Sequence, residues 1–506
     1  MRRILKFLTS KAMICIPLAL LQVGVLFVIF YRVADIYQFL PVFNVLSIIL
    51  AIYIINRFED PSYKIAWCCL ILAVPVVGVP LYLLAGNRKI PRKLIDGTIR
   101  AAMKTNGFLD GEGIQDTEQL SEENRIRFEY GKDRLGFPVY DKTSCRYYKS
   151  GEDWFPDYLA ELEKAEKFIF MEFYIVDQGS CLDELTEILE RKVSEGVEVV
   201  LIYDDFGCVT MPRKFWKKLA EKGIKAYPFN KVRPAFIIQM NNRDHRKITI
   251  IDNRTAFVGG VNIADEYVNR ISRFGYWKDS ALKLTGDAVW SLTAMFLGMY
   301  TNVRDDEGEI DYAKYRLTYD SQGDGGKYQP YSDSPTDDET AALYYHMNMV
   351  NQAEKYIYMD TPYLILNTPM QSSLMLAAKN GVDVRIMTPY IPDKILVNQI
   401  TKANYLPLLQ SGVRIYEYLP GFDHSKNFVS DDKTAIIGSA NMDYRSYFLH
   451  FENGVLMADT DEILKIRDDF LTAAQAAKEI TIADVKKTIL PVRIVRAVLN
   501  LFIPLV

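Results

Sequence analysis

Histidine is scarce in this chain, with four among 506 residues. Cysteine is hardly commoner. Cys15, Cys68, Cys69, Cys145, Cys181 and Cys208 show no spacing that would grip a metal or frame a disulfide fold, so free thiols are expected. A positive excess is also lacking: 60 Lys and Arg stand against 64 Asp and Glu, which excludes a nucleic-acid binder working by general basicity. Charge of either sign is missing from three N-terminal stretches, between Lys11 and Arg32, Asp35 and Arg57, and Lys64 and Arg88.

Each of those stretches is mostly apolar and long enough to cross a hydrocarbon core of about 30 Å. Spans are therefore expected at about 12–31, 36–56 and 65–87, within a membrane anchor of residues 1–90. The first is too long for a signal-peptide core and lacks a cleavage site, so it reads as retained. Basic clusters flank the set, with Arg2, Arg3, Lys6 and Lys11 before it and Arg88, Lys89, Arg92 and Lys93 after it. The positive-inside rule puts both clusters on the cytoplasmic side. Three full crossings cannot do that, so one segment is expected to be interfacial or re-entrant. Pro75, Gly78 and Pro80 weaken the third; the first is the other candidate. The chain then reads as a multi-pass protein of the cell membrane, with its remaining mass in the cytoplasm.

Beyond about residue 150 the chain repeats itself. "EKFIFMEFYIV" at Glu166 returns as "EKYIYMDTPYLI" at Glu354, and "DNRTAFVGGVNIAD" at Asp252 returns as "DDKTAIIGSANMDY" at Asp431. Two further matches fall in the same order, at a shift of roughly 185 residues, which indicates two copies of one unit. In each copy short β-rich runs alternate with helical spacing, as in Phe168–Ile175, Leu182–Ser194 and Val197–Tyr203, and this predicts α/β layering. The units are expected at 91–304 and 341–480, joined by a polar linker over 305–340.

Two of the four histidines stand at matching places. "DHRKITIID" holds His245, Lys247 and Asp252, and "DHSKNFVSD" holds His424, Lys426 and Asp431. Gly259 and Asn262 follow the first motif, and Gly438 and Asn441 follow the second at equal distance. On a strand, His and Lys two residues apart share a face. That pair suits phosphate chemistry: an imidazole attacks phosphorus or moves a proton, and an ammonium holds the phosphate oxygens. If the two strands met across a pseudo-twofold interface, one His could act as nucleophile and the other as general acid. Asp279 and Glu452 open later apolar runs and are candidates to orient the imidazoles. Phe274, Tyr276 and Trp277 beside Asp279 predict a buried, activated His245, hence His245 as the nucleophile. His346 and His450 lack such a context and read as structural.

These motifs resemble the phospholipase D superfamily over roughly residues 130–480. With "PVVGVPLYLLAGNR", "FGYWKD" and "IIGSANMDYRS", the chain more specifically resembles bacterial cardiolipin synthases. The resemblance implies two tandem α/β repeats packed as a pseudo-twofold unit and a reaction without metal or cofactor. It implies a phosphohistidine intermediate, with phosphatidylglycerol as both donor and acceptor and glycerol as leaving group. It assigns the chemistry to His245, Lys247, His424 and Lys426, a holding role to Asp252 and Asp431, and support to Asn262, Asn441, Asp279 and Glu452. Ser425 and Asn427 depart from the usual residues of the second motif.

Hydrolysis of the phosphoenzyme by water, or transfer to another alcohol, fits the same motifs. An inactive scaffold would predict a damaged motif, and both are intact. Arg213, Lys214, Lys217, Lys218 and Lys222 share a predicted helix that would face solvent or anionic headgroups. Residues 481–506 mix Lys486, Lys487, Arg493 and Arg496 with apolar residues and predict an interfacial helix.

Overall fold

Strand periodicity places the first half of the chain around one sheet. In the computed structural model, which describes residues 40–57, 59–86, 90, 92–115, 120, 122–232, 241–304 and 308–502, that half contributes nine strands. They are β1 (Thr143–Tyr148), β2 (Phe168–Phe173), β3 (Glu198–Asp204), β4 (Lys225–Phe229), β5 (Arg243–Asp244), β6 (Lys247–Ile251), β7 (Thr255–Gly259), β8 (Tyr276–Lys278) and β9 (Ala281–Gly286). Seven form a sheet in the order β1-β9-β7-β6-β2-β3-β4. Side chains alternate across it. Phe168, Phe170, Val200 and Ile202 face the centre of the molecule, where they meet residues of the second half. Ile169, Met171, Val199 and Leu201 face the opposite way, against the helices Gly151–Leu162 and Ser180–Ser194.

The second half repeats the plan with β10 (Lys327–Asp333), β11 (Tyr356–Asp360), β12 (Asp383–Pro389), β13 (Arg414–Tyr418), β14 (Gly421–Asp423), β15 (Asn427–Ser430), β16 (Thr434–Gly438), β17 (His450–Ala458) and β18 (Ala477–Ile480). Its sheet runs β10-β17-β16-β15-β11-β12-β13-β18. The chain is thus mixed α/β with two tandem units. The helix Val289–Val303 packs on the first sheet and against β10, and is buried on every side from Val289 to Tyr300. The polar stretch 305–340 is more than a linker. Tyr328, Gln329 and Tyr331 are buried in β10, an edge strand on β17 where Pro330 needs no ladder donor.

Each half also lends a strand to the other. β5 pairs in parallel with β17, joining Arg243 to His450 and Asp244 to Phe451. β14 pairs in parallel with β8, joining Asp423 to Lys278. The two exchanges are related by the repeat, and each ends at a motif histidine.

The N-terminal expectation needs correction. No helix among the described residues is long and apolar enough to cross a membrane. Within the described residues, the stretch 36–56 yields the helix Leu40–Ile55. The stretch 65–87 is broken. One helix, Pro61–Ala73, stops at Val74, another, Pro75–Leu81, starts at the proline, and a π-turn over Tyr82–Gly86 follows. Pro75 cannot donate to the preceding turn. Gly78 lets the second helix fold back on the first, since a Cβ there would sit 2.6 Å from Ile71 Cα. Ile54, Tyr63, Trp67, Ile71, Val79 and Tyr82 close a small core inside this bundle. The expected span at 12–31 lies outside the described residues.

Candidate active site

The motif aspartates hold backbone. Asp252 and Asn253 take left-handed φ values of 53° and 54° in the β6–β7 turn, and Asp431 and Asp432 take 57° and 60° in the β15–β16 turn. Asp and Asn tolerate that region better than most residues. From there the Asp252 carboxylate accepts the N–H groups of Glu166, Lys167 and Phe168 at 2.7–2.8 Å, and fastens the start of β2. Asp431 accepts those of Glu354, Lys355 and Tyr356 at 2.8 Å, and fastens β11. Gly259 and Gly438 admit the neighbouring strand. A Cβ at either would lie 2.5 Å from a carbonyl oxygen, of Ser280 or of Asn453.

The strand exchange brings the other residues together. His245 donates its backbone N–H to Phe451 O at 2.9 Å, and His424 donates its own to Lys278 O at 2.7 Å. His245 Nδ1 then lies 3.0 Å from both oxygens of Glu452. His424 Nδ1 lies 2.7 Å from Asp279 Oδ2. Each imidazole is therefore oriented by the acid of the opposite half, although Asp279 follows His245 in sequence and Glu452 follows His424. The aromatic residues around Asp279 move with it: Trp277 and Tyr267 pack against His424, at ring distances of 5.2 and 5.5 Å. The argument from those aromatics for His245 as nucleophile is thereby overturned. Tyr174 packs its ring against His245, at 5.0 Å.

Electrostatics follow from burial. Removal from water pushes His245 down to about 3 and His424 to about 4, and the neighbouring Lys247 and Lys426 add to this against the opposing acids. Burial also pushes Lys247 down to about 7 and Lys426 to about 8. Burial alone would raise Glu452, yet charge and hydrogen bonding from His245 hold it well below the usual carboxylate range. Asp279 is held low against burial by His424 and Lys426. The result is two neutral imidazoles, each pointing Nδ1–H at a carboxylate and keeping a lone pair on Nε2, beside two ammonium groups. Such a site can attack a phosphodiester, protonate a leaving alkoxide and bind the phosphate oxygens.

A second layer of charge lies beneath. Arg246 meets Glu172 at 2.6 Å and Asp244 at 3.0 Å. Ser425 takes the place of Arg246 in the second motif, and the cation there is Lys278 from the exchanged strand. Its ammonium meets Asp469 at 3.0 Å, Asp360 and Asp423 at 3.9 Å, and Ser425 Oγ at 3.2 Å. Asn427, the other departure, bonds across the halves to Ser280 Oγ at 2.7 Å. Asn262 accepts the N–H of Ile175 at 2.9 Å, and Asn441 donates to Asp443 at 3.2 Å.

His346 stays apart, with Nδ1 3.0 Å from Tyr447 OH. His450, which read as structural, belongs to the site. Its Nδ1 is 3.5 Å from Glu452 Oε1. The H-x-E spacing on one strand was the signal for it, since residues two apart share a face.

The chain is similar to known proteins over most of its length. The family model described as "Cardiolipin synthase, PLD-like domain" matches residues 158–272 and 347–473, and "Phospholipase_D-nuclease N-terminal" matches 45–87. Cardiolipin synthase 2 of Bacillus anthracis is 34% identical over 470 residues, covering 92% of this chain and 90% of that protein. Cardiolipin synthase 2 of Staphylococcus epidermidis is 32% identical over 477 residues, covering 91% and 96%. Among solved structures, phosphatidylserine synthase of Haemophilus influenzae superposes with a TM-score of 0.58 at 14% identity, over 75% of this chain and all of that one, which shows a shared fold. The chain belongs to the bacterial cardiolipin synthases of the phospholipase D superfamily.

Proposed function

We propose that the enzyme joins two phosphatidylglycerol molecules, giving cardiolipin and glycerol. The observation that carries the mechanism is the crossed pairing of His245 with Glu452 and His424 with Asp279. His245 Nε2 attacks phosphorus of the donor, and the bond to glycerol oxygen breaks. His424, which takes up a proton on Nε2 as the negative charge of the phosphodiester enters the site, gives that proton to the glycerol oxygen, so glycerol leaves neutral. His424, now a base, takes the proton of the acceptor's hydroxyl as it displaces His245 from phosphorus. Lys247 and Lys426 hold the non-bridging oxygens through both steps. His245 is assigned the attack, its orienting carboxylate held by Ser439 Oγ, which donates to Glu452 Oε2 at 2.5 Å. Superfamily resemblance leans the same way.

A membrane surface is the expected workplace. The helix Leu490–Phe502 packs against the helices Ile395–Ala403 and Pro61–Ala73, and Arg496 Nε donates to Gln399 at 3.0 Å. Exposed Leu490, Ile494, Val495 and Val498 join exposed Ile395 and Leu396. This apolar face adjoins the N-terminal bundle, with its own exposed Ile48, Ile52, Leu83 and Leu84, and it supports shallow insertion on the cytoplasmic side.

The test is purified enzyme with phosphatidylglycerol alone in detergent, with products separated by mass. Cardiolipin with equimolar glycerol is expected. Phosphatidic acid without cardiolipin would mean that water is the acceptor.

A further inference from the structure

Glu452 does not serve His245 alone. His450 lies two residues earlier on β17, on the same face, with its ring 5.4 Å from that of His245. Its Nδ1 is buried and makes no well-formed hydrogen bond. A buried polar atom left so is costly and calls for an explanation. The other half supplies the contrast. There Trp277 stands two residues before Asp279, and its indole N–H reaches Asp279 Oδ2 at 3.4 Å. Indole nitrogen can only donate. At the matching place in the first centre, imidazole nitrogen offers a lone pair.

We propose that His245, His450 and Glu452 form an inhibitory site for a borderline divalent transition metal, zinc above all. Each offers one ligand atom, and the three lie within 4.8 Å of one another. Two imidazoles and a carboxylate suit zinc and leave a fourth position open, whereas magnesium and calcium seek oxygen. Zinc bonds of about 2.0–2.2 Å put tetrahedral ligand atoms roughly 3.3–3.5 Å apart. The two imidazole–carboxylate separations are 3.0 and 3.5 Å, so a small opening of the first and an approach of the two rings would seat the ion.

The consequence for catalysis is a tautomer switch. Metal on Nδ1 of His245 obliges the neutral ring to carry its proton on Nε2. The lone pair needed to attack phosphorus, or to move a proton, is then occupied. Glu452 turns from orienting the ring to holding the ion. The His424 centre, with Trp277 in place of His450, offers no equivalent set, so one ion per chain suffices. The inhibition rests on the proposed role of His245; the binding does not.

Metal-free full-length enzyme in detergent is titrated with Co²⁺ as a visible probe and then with Zn²⁺. One Co²⁺ per chain should give tetrahedral absorption bands that Zn²⁺ displaces. Cardiolipin formation should fall in step and return with EDTA, while Mg²⁺ does nothing. In His450→Asn, the Zn²⁺ needed to halve the rate, relative to that variant's own metal-free rate, should rise at least ~10-fold. Absent bands, or equal Zn²⁺ sensitivity in the two proteins, would overturn the site. Intact bands in an enzyme that never makes cardiolipin would instead overturn the functional reading.

Discussion

In the His245 centre the orienting acid is a glutamate, fixed by Ser439 and faced by His450. In the His424 centre it is an aspartate, fixed by its neighbour's N–H and by the Trp277 indole. Gly260 stands where the second half has Ser439, and a Cβ there would lie 2.0 Å from Asp279 Oδ1. Beneath the first imidazole the buried cation is Arg246 of the motif itself; beneath the second it is Lys278, reached across the interface. The comparison teaches that the reacting groups and a buried cation beneath each imidazole are kept, while the residue that supplies that cation is exchangeable.

The strongest way to break this comparison is to remove either imidazole. His245→Ala and His424→Ala should each lower turnover by more than ~10³-fold, and the double variant should be little worse because the pair acts as a unit. A single variant keeping most of its rate would show that the two centres work apart. Next comes the crossing. Glu452→Gln and Asp279→Asn should each cost ~10²–10⁴-fold in turnover. With an activated donor, labelled phosphohistidine should still collect on His245 in Asp279→Asn and be nearly absent in Glu452→Gln. The reverse pattern would exchange the roles of the two histidines.

Much of this was legible from residues alone. Period-two runs reveal β2, β3, β6 and β15, and the doubled H-x-K reveals which faces matter. The crossing was not legible, because spacing along the chain places Asp279 nearest His245 and carries no sign of the parallel β8–β14 and β5–β17 pairings that reverse it. His450 was missed because it was weighed against the motifs rather than against Glu452, two residues on. The segment 65–87 looked like a span because hydropathy counts apolar residues, whereas Pro75 and Gly78 decide whether they form one rod or a hairpin. Strand β10 hid in a polar stretch because its buried tyrosines carry hydroxyls.

A third test exchanges the cations. Lys278→Ala strands Asp360, Asp423 and Asp469 around an empty place, and should cost about 3–5 kcal/mol in unfolding free energy. Adding Ser425→Arg, which copies the position of Arg246, should return a large part of it. A loss in Lys278→Ala that Ser425→Arg leaves untouched would break the equivalence of the two charge clusters.

The smallest expected effect concerns pH. Burial lowers Lys247 to about 7 and Lys426 to about 8. The free enzyme therefore sheds ammonium charge as pH rises through that range, and kcat/KM should fall on the basic side. Arginine stays charged there, so in Lys247→Arg the limb should move up toward about 8, where Lys426 titrates. An unmoved limb would mean that another group governs it.

The crossed carboxylates also have a consequence for timing. His245 is synthesised early, but the group that orients it is Glu452, more than 200 residues later. Until Glu452 has been made, the first imidazole lacks the acid that orients it, and the second gains Asp279 only once both halves have docked. A truncated or nascent chain therefore carries a histidine and no means to use it. Assembly of both imidazole–carboxylate pairs is thereby tied to completion of the second half.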